Sequence, residues 1–339
     1  MIYLENRSII MSIKEKLQII LITYNREKHA KNMLETLLAD NAPTRELNIL
    51  VLDNNSTDGT EKLVKNLQAK HPNLSYHKNH YNIGLGGNIA RALEIANQEY
   101  LWLLGDDDIL HFEAWPDLED AISQKKELIS VSRYTVPSGE EKDIANLLIQ
   151  MSFISACVFK TSLFTDTIMT NVINNIYTLF PHLAPIISYL NHYSTPDIYL
   201  LPRALSSNGV SPETDCSYIR GYDNEELYLK QRSMSWIVGY ANILFQIKDK
   251  KLLYHLMEIP MGSGKIHAGW CDFYQFIQDN YALRANWLPI LETLRTISPI
   301  RRLFWWIYLL LPIKFYFRHK ALHLCLCWFV KTRIWRFRQ

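Results

Sequence analysis

The 339 residues predict an α/β fold: a Rossmann-like, mostly parallel sheet flanked by helices, followed by a helical, membrane-associating C-terminal region. Three observations carry this expectation. Short apolar runs rich in Ile, Leu and Val recur through the first third of the chain, as expected of strands buried on both faces. Segments with apolar residues at helical spacing alternate with them, the order of parallel strands joined by crossover helices. Residues 300–339 instead mix aromatic and basic side chains around two apolar stretches.

Residues 17–23 (LQIILIT) form the first run, and residues 27–38 then place Ala30, Leu34, Leu37 and Leu38 on one helical face. A second strand is expected at 47–52 (LNILVL). Asp58, with Glu61 three residues on, reads as the N-cap of a helix that buries Leu63, Val64 and Leu67. A weaker strand at 74–77, a helix carrying Ile89, Ala92, Leu93 and Ala96, and a strong strand at 100–104 (YLWLL) complete the pattern. From about residue 142 the reading is mostly helical, with one strand at 197–201. The prolines between Pro181 and Pro212 predict a loop-interrupted stretch.

A hydrophobic fraction of 48% and a charged fraction of 21% are those of a folded globular chain. Five scattered cysteines argue against a disulfide framework and for a reducing compartment. Cys325 and Cys327 have no second pair to complete a zinc site. The N-terminal stretch is charged throughout and lacks a signal-like apolar run, so a cytoplasmic protein is expected, with Met11 a plausible start. Nine Lys and Arg and no acid fall between Arg301 and Gln339, so the rest of the chain is net acidic within a total of +2. Nucleic-acid binding usually needs basic charge on the folded domain and is not expected.

Ligands of open α/β sheets sit beyond the carboxyl ends of the strands, and the polar motifs fall there. Thr23, Tyr24, Asn25 and Arg26 follow the first strand, Asp53 and Asn54 the second, and Asp106, Asp107 and Asp108 the strand at 100–104. Three adjacent carboxylates repel one another unless a cation or solvent relieves them. Mg²⁺ or Mn²⁺, with oxygen ligands and positions left for a diphosphate, would do so. Asn82, Gly84, Gly87 and Asn88 open a helix whose backbone amides could face an anion. The segment is no dinucleotide fingerprint, because Ile89 stands where the last glycine is needed; residues 262–265 read as an ordinary turn, not a P-loop.

Together LITYNR, VLDNNSTDGT, NIGLGGN and YLWLLGDDD, in this order and spacing, resemble the family 2 glycosyltransferases of the GT-A fold over residues 17–110. LWLLGDDDIL, ISACVFKTSLF and FPHLAPIISYLNHYSTPDIYLLPRAL extend a looser likeness, to the branch holding the bacterial O-antigen abequosyltransferases, to about residue 207. The resemblance implies an inverting, metal-dependent transfer from a nucleotide-sugar donor. It places Thr23, Tyr24 and Arg26 near the nucleotide and Asp53 and Asn54 at the nucleoside. Asp107 and Asp108 become the pair that touches the ribose and binds Mn²⁺ or Mg²⁺, with Asp106 auxiliary. Many members carry a second Asp where this chain has Asn54, a position associated with the base. An amide donates as well as accepts, so the base preference stays open.

Inversion needs a base within reach of the acceptor hydroxyl; His182, Asp215 and Glu225 are the candidates. The apolar runs 303–313 and 321–330 hold eleven and ten residues, against the roughly 20 a span requires. Flanked by Lys, Arg and Trp, they predict interfacial helices on an anionic membrane. The expected division is 17–250 for the GT-A domain (17–110 nucleotide-sugar-binding half, 111–250 acceptor half) and 251–339 for a helical C-terminal region. A lipid-linked glycan acceptor of a bacterial surface polysaccharide, met at the cytoplasmic face of the inner membrane, fits this layout. The rivals are a nucleotidyltransferase making a nucleotide sugar and a non-catalytic membrane-associated scaffold.

Overall fold

The computed structural model describes residues 13–131, 148, 150–192, 198–207, 209, 239–240, 242–244, 246–249, 251–253, 260–261 and 266–267. The chain divides into two compact units, Met1–Leu256 and Met257–Gln339.

In the first unit, a short helix α1 (Ile13–Lys16) runs straight into β1 (Leu17–Thr23), which is buried at all seven positions. There follow α2 (Glu27–Leu37), β2 (Asn48–Asp53), α3 (Thr60–Gln68), β3 (Leu74–Lys78), α4 (Gly84–Ile95) and β4 (Tyr100–Gly105). This is the strand–helix alternation that the apolar runs predict. β1 pairs in parallel with both β2 and β4, and β2 pairs in parallel with β3. Only central strands covered on both faces can be apolar along their whole length. β4 meets this condition, buried at every one of its six positions.

After β5 (Ile109–Leu110) and α5 (Trp115–Ser123) come β6 (Leu128–Ser130), β7 (Cys157–Lys160), α6 (Asp166–Asn174), α7 (Leu183–His192), β8 (Ile198–Leu200) and β9 (Ser206–Ser207). The seven-stranded sheet has the order β3-β2-β1-β4-β7-β6-β8, with β7 antiparallel to both of its neighbours. β5 and β9 form a separate antiparallel pair. Beyond residue 142 the described residues are mostly helical, as read, but the expectation of a single strand is corrected: β7 and β9 lie there beside the strand expected at 197–201, which forms at 198–200. Strands of two to four residues are too short for alternation to register.

Two further expectations change. Asp58 is not the N-cap of α3, which starts at Thr60 behind Gly59. Its carboxylate instead accepts from Glu27 N–H (2.9 Å) and from the Thr60 N–H (3.1 Å) and hydroxyl (2.6 Å), so it anchors the starts of α2 and α3 together. Within the Pro-rich stretch, α7 forms with Pro185 as its third residue. A proline is tolerated in a helix's first turn, where no intrahelical N–H bond is lost.

The core on one side of the sheet gathers Leu34, Leu37, Ile49, Val51, Trp102 and Leu118 around β1. Trp102 is fully buried, donates its indole N–H to Ser155 O (3.0 Å) and lies 6.5 Å from the Trp115 ring. In the second unit, Pro260–Met261 and Ile266–His267 pair antiparallel. The residues 262–265 expected as a turn, and the basic–aromatic segment 300–339, lie outside the described residues. Among the described residues no helix is long and apolar enough to cross a membrane.

Candidate active site

Register decides what meets at the strand ends. Thr23 pairs with Asp53 across β1 and β2, and Ile22 pairs with Gly105 across β1 and β4. Sequence order reverses at β1, since β2 and β3 lie on one side and β4 on the other. Thr23, Asp53 and the aspartates after Gly105 thus converge at the switch point, where α/β sheets bind ligands.

The two loops after β1 and β2 are locked into one. Asn25 and Asn55 turn the chain in the left-handed region, with φ of 51° and 69°. Asn is among the few non-glycine residues that tolerate this conformation. Asn54 N–H donates to Thr23 O (2.9 Å), Asn25 N–H to Ser56 Oγ (2.7 Å) and Thr57 N–H to Asn25 Oδ1 (2.7 Å). Tyr24 sits half-buried in this turn.

The loop aims Arg26 at the acidic triplet. Its Nη1 donates to Asp106 Oδ1 and its Nη2 to Asp107 Oδ2, each at 2.8 Å. The Thr23 hydroxyl donates to the other Asp106 oxygen at 2.6 Å. Asp106 is 4% exposed and Thr23 likewise, so these bonds form out of water. Charge-assisted bonds of this kind are the strong ones, and they turn Asp106 inward as the fixture that seats Arg26. Asp107 and Asp108 stay half-buried. Asp108 accepts from the Ser155 hydroxyl, whose oxygen accepts the Gly105 N–H at 2.8 Å. A Cβ built on Gly105 would lie 2.8 Å from Asp108 Oδ2 and 3.5 Å from Asp107 Oδ1. The two carboxylates therefore curl over the same glycine.

Asp53 is fully buried. Its Oδ1 accepts from Ser56 N–H (2.8 Å) and its Oδ2 from the Tyr76 hydroxyl (2.6 Å). Burial, then the bond to Asp53, pushes the Tyr76 phenol far above its ordinary range, so it remains a donor. Asn54 is 3% exposed and its amide is bonded to Asn79, Asn82, Ile83 and Gly84. Gly84 adopts φ of 74°, and its N–H donates to Asn82 Oδ1 (2.9 Å). Asn88 is buried and accepts from Asn79 (2.8 Å).

Of the three candidate bases, His182 is fully buried, with Nε2 on the carbonyls of Met151 (3.2 Å) and Ser152 (3.3 Å) and, among the described residues, no hydrogen-bond partner for Nδ1. Burial holds it down at about 4, against the two carbonyl bonds that raise it. His182 packs just ahead of α7, its ring against the backbone of Met151 and Ser152. Asp215 and Glu225 lie outside the described residues. Sequence reasoning missed Ser155, Tyr76, Asn79 and Gly86. A Cβ on Gly86 would lie 1.9 Å from Ile176 O, so a glycine is required where α4 crosses the turn at 176–178. Gly86 and Ser155 stand inside the stretches NIGLGGN and ISACVFKTSLF without a role of their own in the sequence reading, and Tyr76 and Asn79 stand in none; each is defined by what crosses it in three dimensions.

A mostly parallel sheet with acidic residues at its switch point defines a GT-A-like α/β fold. The sequence model of glycosyl transferase family 2 matches residues 18–188, just over half of the chain, and the chain belongs to that family. Over 112 residues it is 26% identical to the abequosyltransferase RfbV of Salmonella typhimurium, covering 33% of this chain and 34% of that protein. Over 96 residues it is 34% identical to a GalNAc(5)-diNAcBac-PP-undecaprenol beta-1,3-glucosyltransferase of Campylobacter jejuni, covering 28% and 30%. The matched stretch spans about a third of the length of these curated relatives. Among solved structures, TarS 1–349 of S. aureus in complex with UDP-GlcNAc superposes with a TM-score of 0.57 at 16% identity, over 84% of this chain and 82% of that one. At that identity the likeness is one of fold.

Proposed function

We propose that this glycosyltransferase moves a sugar with inversion from a nucleotide-sugar donor to a lipid-linked bacterial surface glycan precursor. The observation that carries the donor half is the pairing of Asp107 and Asp108 over Gly105 beside Thr23 and Arg26. Two converging, half-buried carboxylates suit a hard divalent cation, which needs only one or two protein ligands when phosphate oxygens fill the rest. Among the described residues no cluster of three or more His, Cys, Asp or Glu is arranged for a metal. Asp107 and Asp108 would hold Mn²⁺ or Mg²⁺, which supplies Lewis-acid stabilisation of the leaving diphosphate. Arg26 fixes Asp107, and Ser155 orients Asp108. Asp53 and the turn at Asn25 shape the nucleoside side.

Inversion is a single displacement: the acceptor oxygen attacks the anomeric carbon opposite the departing diphosphate, and its proton goes to a base. We place that base at Asp215 or Glu225, because His182 is sealed. The Campylobacter relative's name specifies an undecaprenol-linked acceptor; with the basic–aromatic residues 300–339, this supports an acceptor met at the cytoplasmic face of the inner membrane.

Asp108→Ala, checked for an unchanged melting temperature, is expected to lower cation-dependent release of nucleoside diphosphate from a panel of nucleotide sugars by about 10²-fold or more. Unchanged turnover would sink the metal assignment.

A further inference from the structure

Asparagines at 54, 79, 82 and 88 come from the loops after β2 and β3 and from the start of α4, and their side chains form one network. Asn79 Nδ2 donates to Asn54 Oδ1 (3.0 Å) and to Asn88 Oδ1 (2.8 Å). Asn54 Nδ2 donates to Asn82 Oδ1 (2.8 Å) and Gly84 O (3.2 Å). Two backbone groups fix which way these amides face. Ile83 N–H donates to Asn54 Oδ1 (3.0 Å), and Gly84 N–H donates to Asn82 Oδ1 (2.9 Å). A backbone N–H can only donate, so both side-chain oxygens must face it, and the Asn54 group opposite Asn82 Oδ1 and Gly84 O has to be the NH₂. Position 54 therefore needs a donor and an acceptor at once. A carboxylate there would face two acceptors.

We infer that Asn54 is a positioning residue, not a reader of the nucleotide base. Its amide is 3% exposed and holds the exposed loop Asn82–Gly84 at the start of α4. That loop stands over the carboxyl ends of β2 and β3, where the proposed donor lies. The amide at 54, where an acidic residue would touch the base directly, is matched by Asn79, Asn82 and Asn88 and carries no base preference. The inference rests on the donor-binding reading above.

The test uses the full chain, UDP, GDP, ADP and CDP with Mn²⁺, and calorimetry. Asn54→Asp is expected to weaken every nucleotide that the wild type binds by the same factor, about tenfold, leaving their ranking unchanged. Asn79→Ala, which removes a donor to Asn54 without altering it, should do the same in smaller measure and keeps the test usable if the first variant does not fold. Backbone hydrogen exchange at Ile83 and Gly84 should quicken in both. A changed ranking in Asn54→Asp with exchange at Ile83 and Gly84 unaltered overturns the inference and makes Asn54 a base reader. Unaltered affinity and exchange in both variants also overturn it. If the wild type binds none of the four nucleotides, the donor-binding reading fails, and the exchange result alone decides whether Asn54 holds the loop.

Discussion

At the scale of single residues, Arg26 decides how three adjacent aspartates coexist. Its guanidinium spans Asp106 and Asp107 with side chains 10% exposed on Arg26 and 2% on Asp106. Such a pair is no proof of net stabilisation, because both charges were taken out of water. Removing one partner is another matter. Arg26→Ala removes the guanidinium from the buried Asp106 carboxylate, to which the Thr23 hydroxyl still donates, and should cost about 3 kcal/mol in urea unfolding. Arg26→Lys should recover part of this, since an ammonium cannot span both carboxylates as the planar fork does. Equal stability of all three proteins would show that water reaches Asp106. The triplet was legible from sequence as a charge problem, but its solution was not: nothing in the spacing of residues 26 and 106 tells which oxygen a guanidinium will reach.

At the scale of elements, α7 illustrates how burial sets a pH response. His182 precedes it, fully buried and held down at about 4. The unfolded histidine takes a proton near pH 6.5. Above that pH both states are neutral and the full contribution is present. As pH falls from 6.5 towards 4, the unfolded chain binds a proton that the folded one refuses, and stability drops by on the order of 3 kcal/mol. Urea midpoints at pH 7 and 4.5 should differ for this reason, and His182→Gln, whose amide can still donate to the same carbonyls, should flatten the difference. A slope that persists in the variant assigns the effect to other groups. The residue was open to a catalytic reading in the sequence because PH steps carry no mark of burial; β7 and β9 escaped notice for a related reason, being two to four residues long. The longer strands at 17–23 and 100–105 were plain because each holds an unbroken apolar run, Ile19 to Ile22 in one and Tyr100 to Leu104 in the other.

At the scale of the whole molecule, charge is divided unevenly, with nine Lys and Arg and no acidic residues from Arg301 to Gln339. On the proposed membrane reading, each Lys or Arg near an anionic surface contributes about 1 kcal/mol. Arg333→Gln, Arg336→Gln and Arg338→Gln together should then lower binding to phosphatidylglycerol vesicles by about 10²-fold in co-sedimentation, and 0.5 M salt should weaken the wild type similarly. Equal binding to phosphatidylcholine vesicles would remove the electrostatic basis of the proposal.

The order of strands and helices to residue 105, and the polar residues at their ends, were determined by sequence alone, because hydrophobic periodicity and turn chemistry are local properties of the chain. Tertiary structure decided the rest. Only the parallel register of β1 with β2 and β4 brings Thr23, Asp53 and the aspartates together, and only the crossing of distant segments makes Ser155, Tyr76 and Asn79 their supports. It also separated side chains that look alike in sequence, turning Asp106 inward and leaving Asp107 and Asp108 half-buried. Burial and hydrogen-bond direction are set by neighbours up to a hundred residues away, so no local pattern records them.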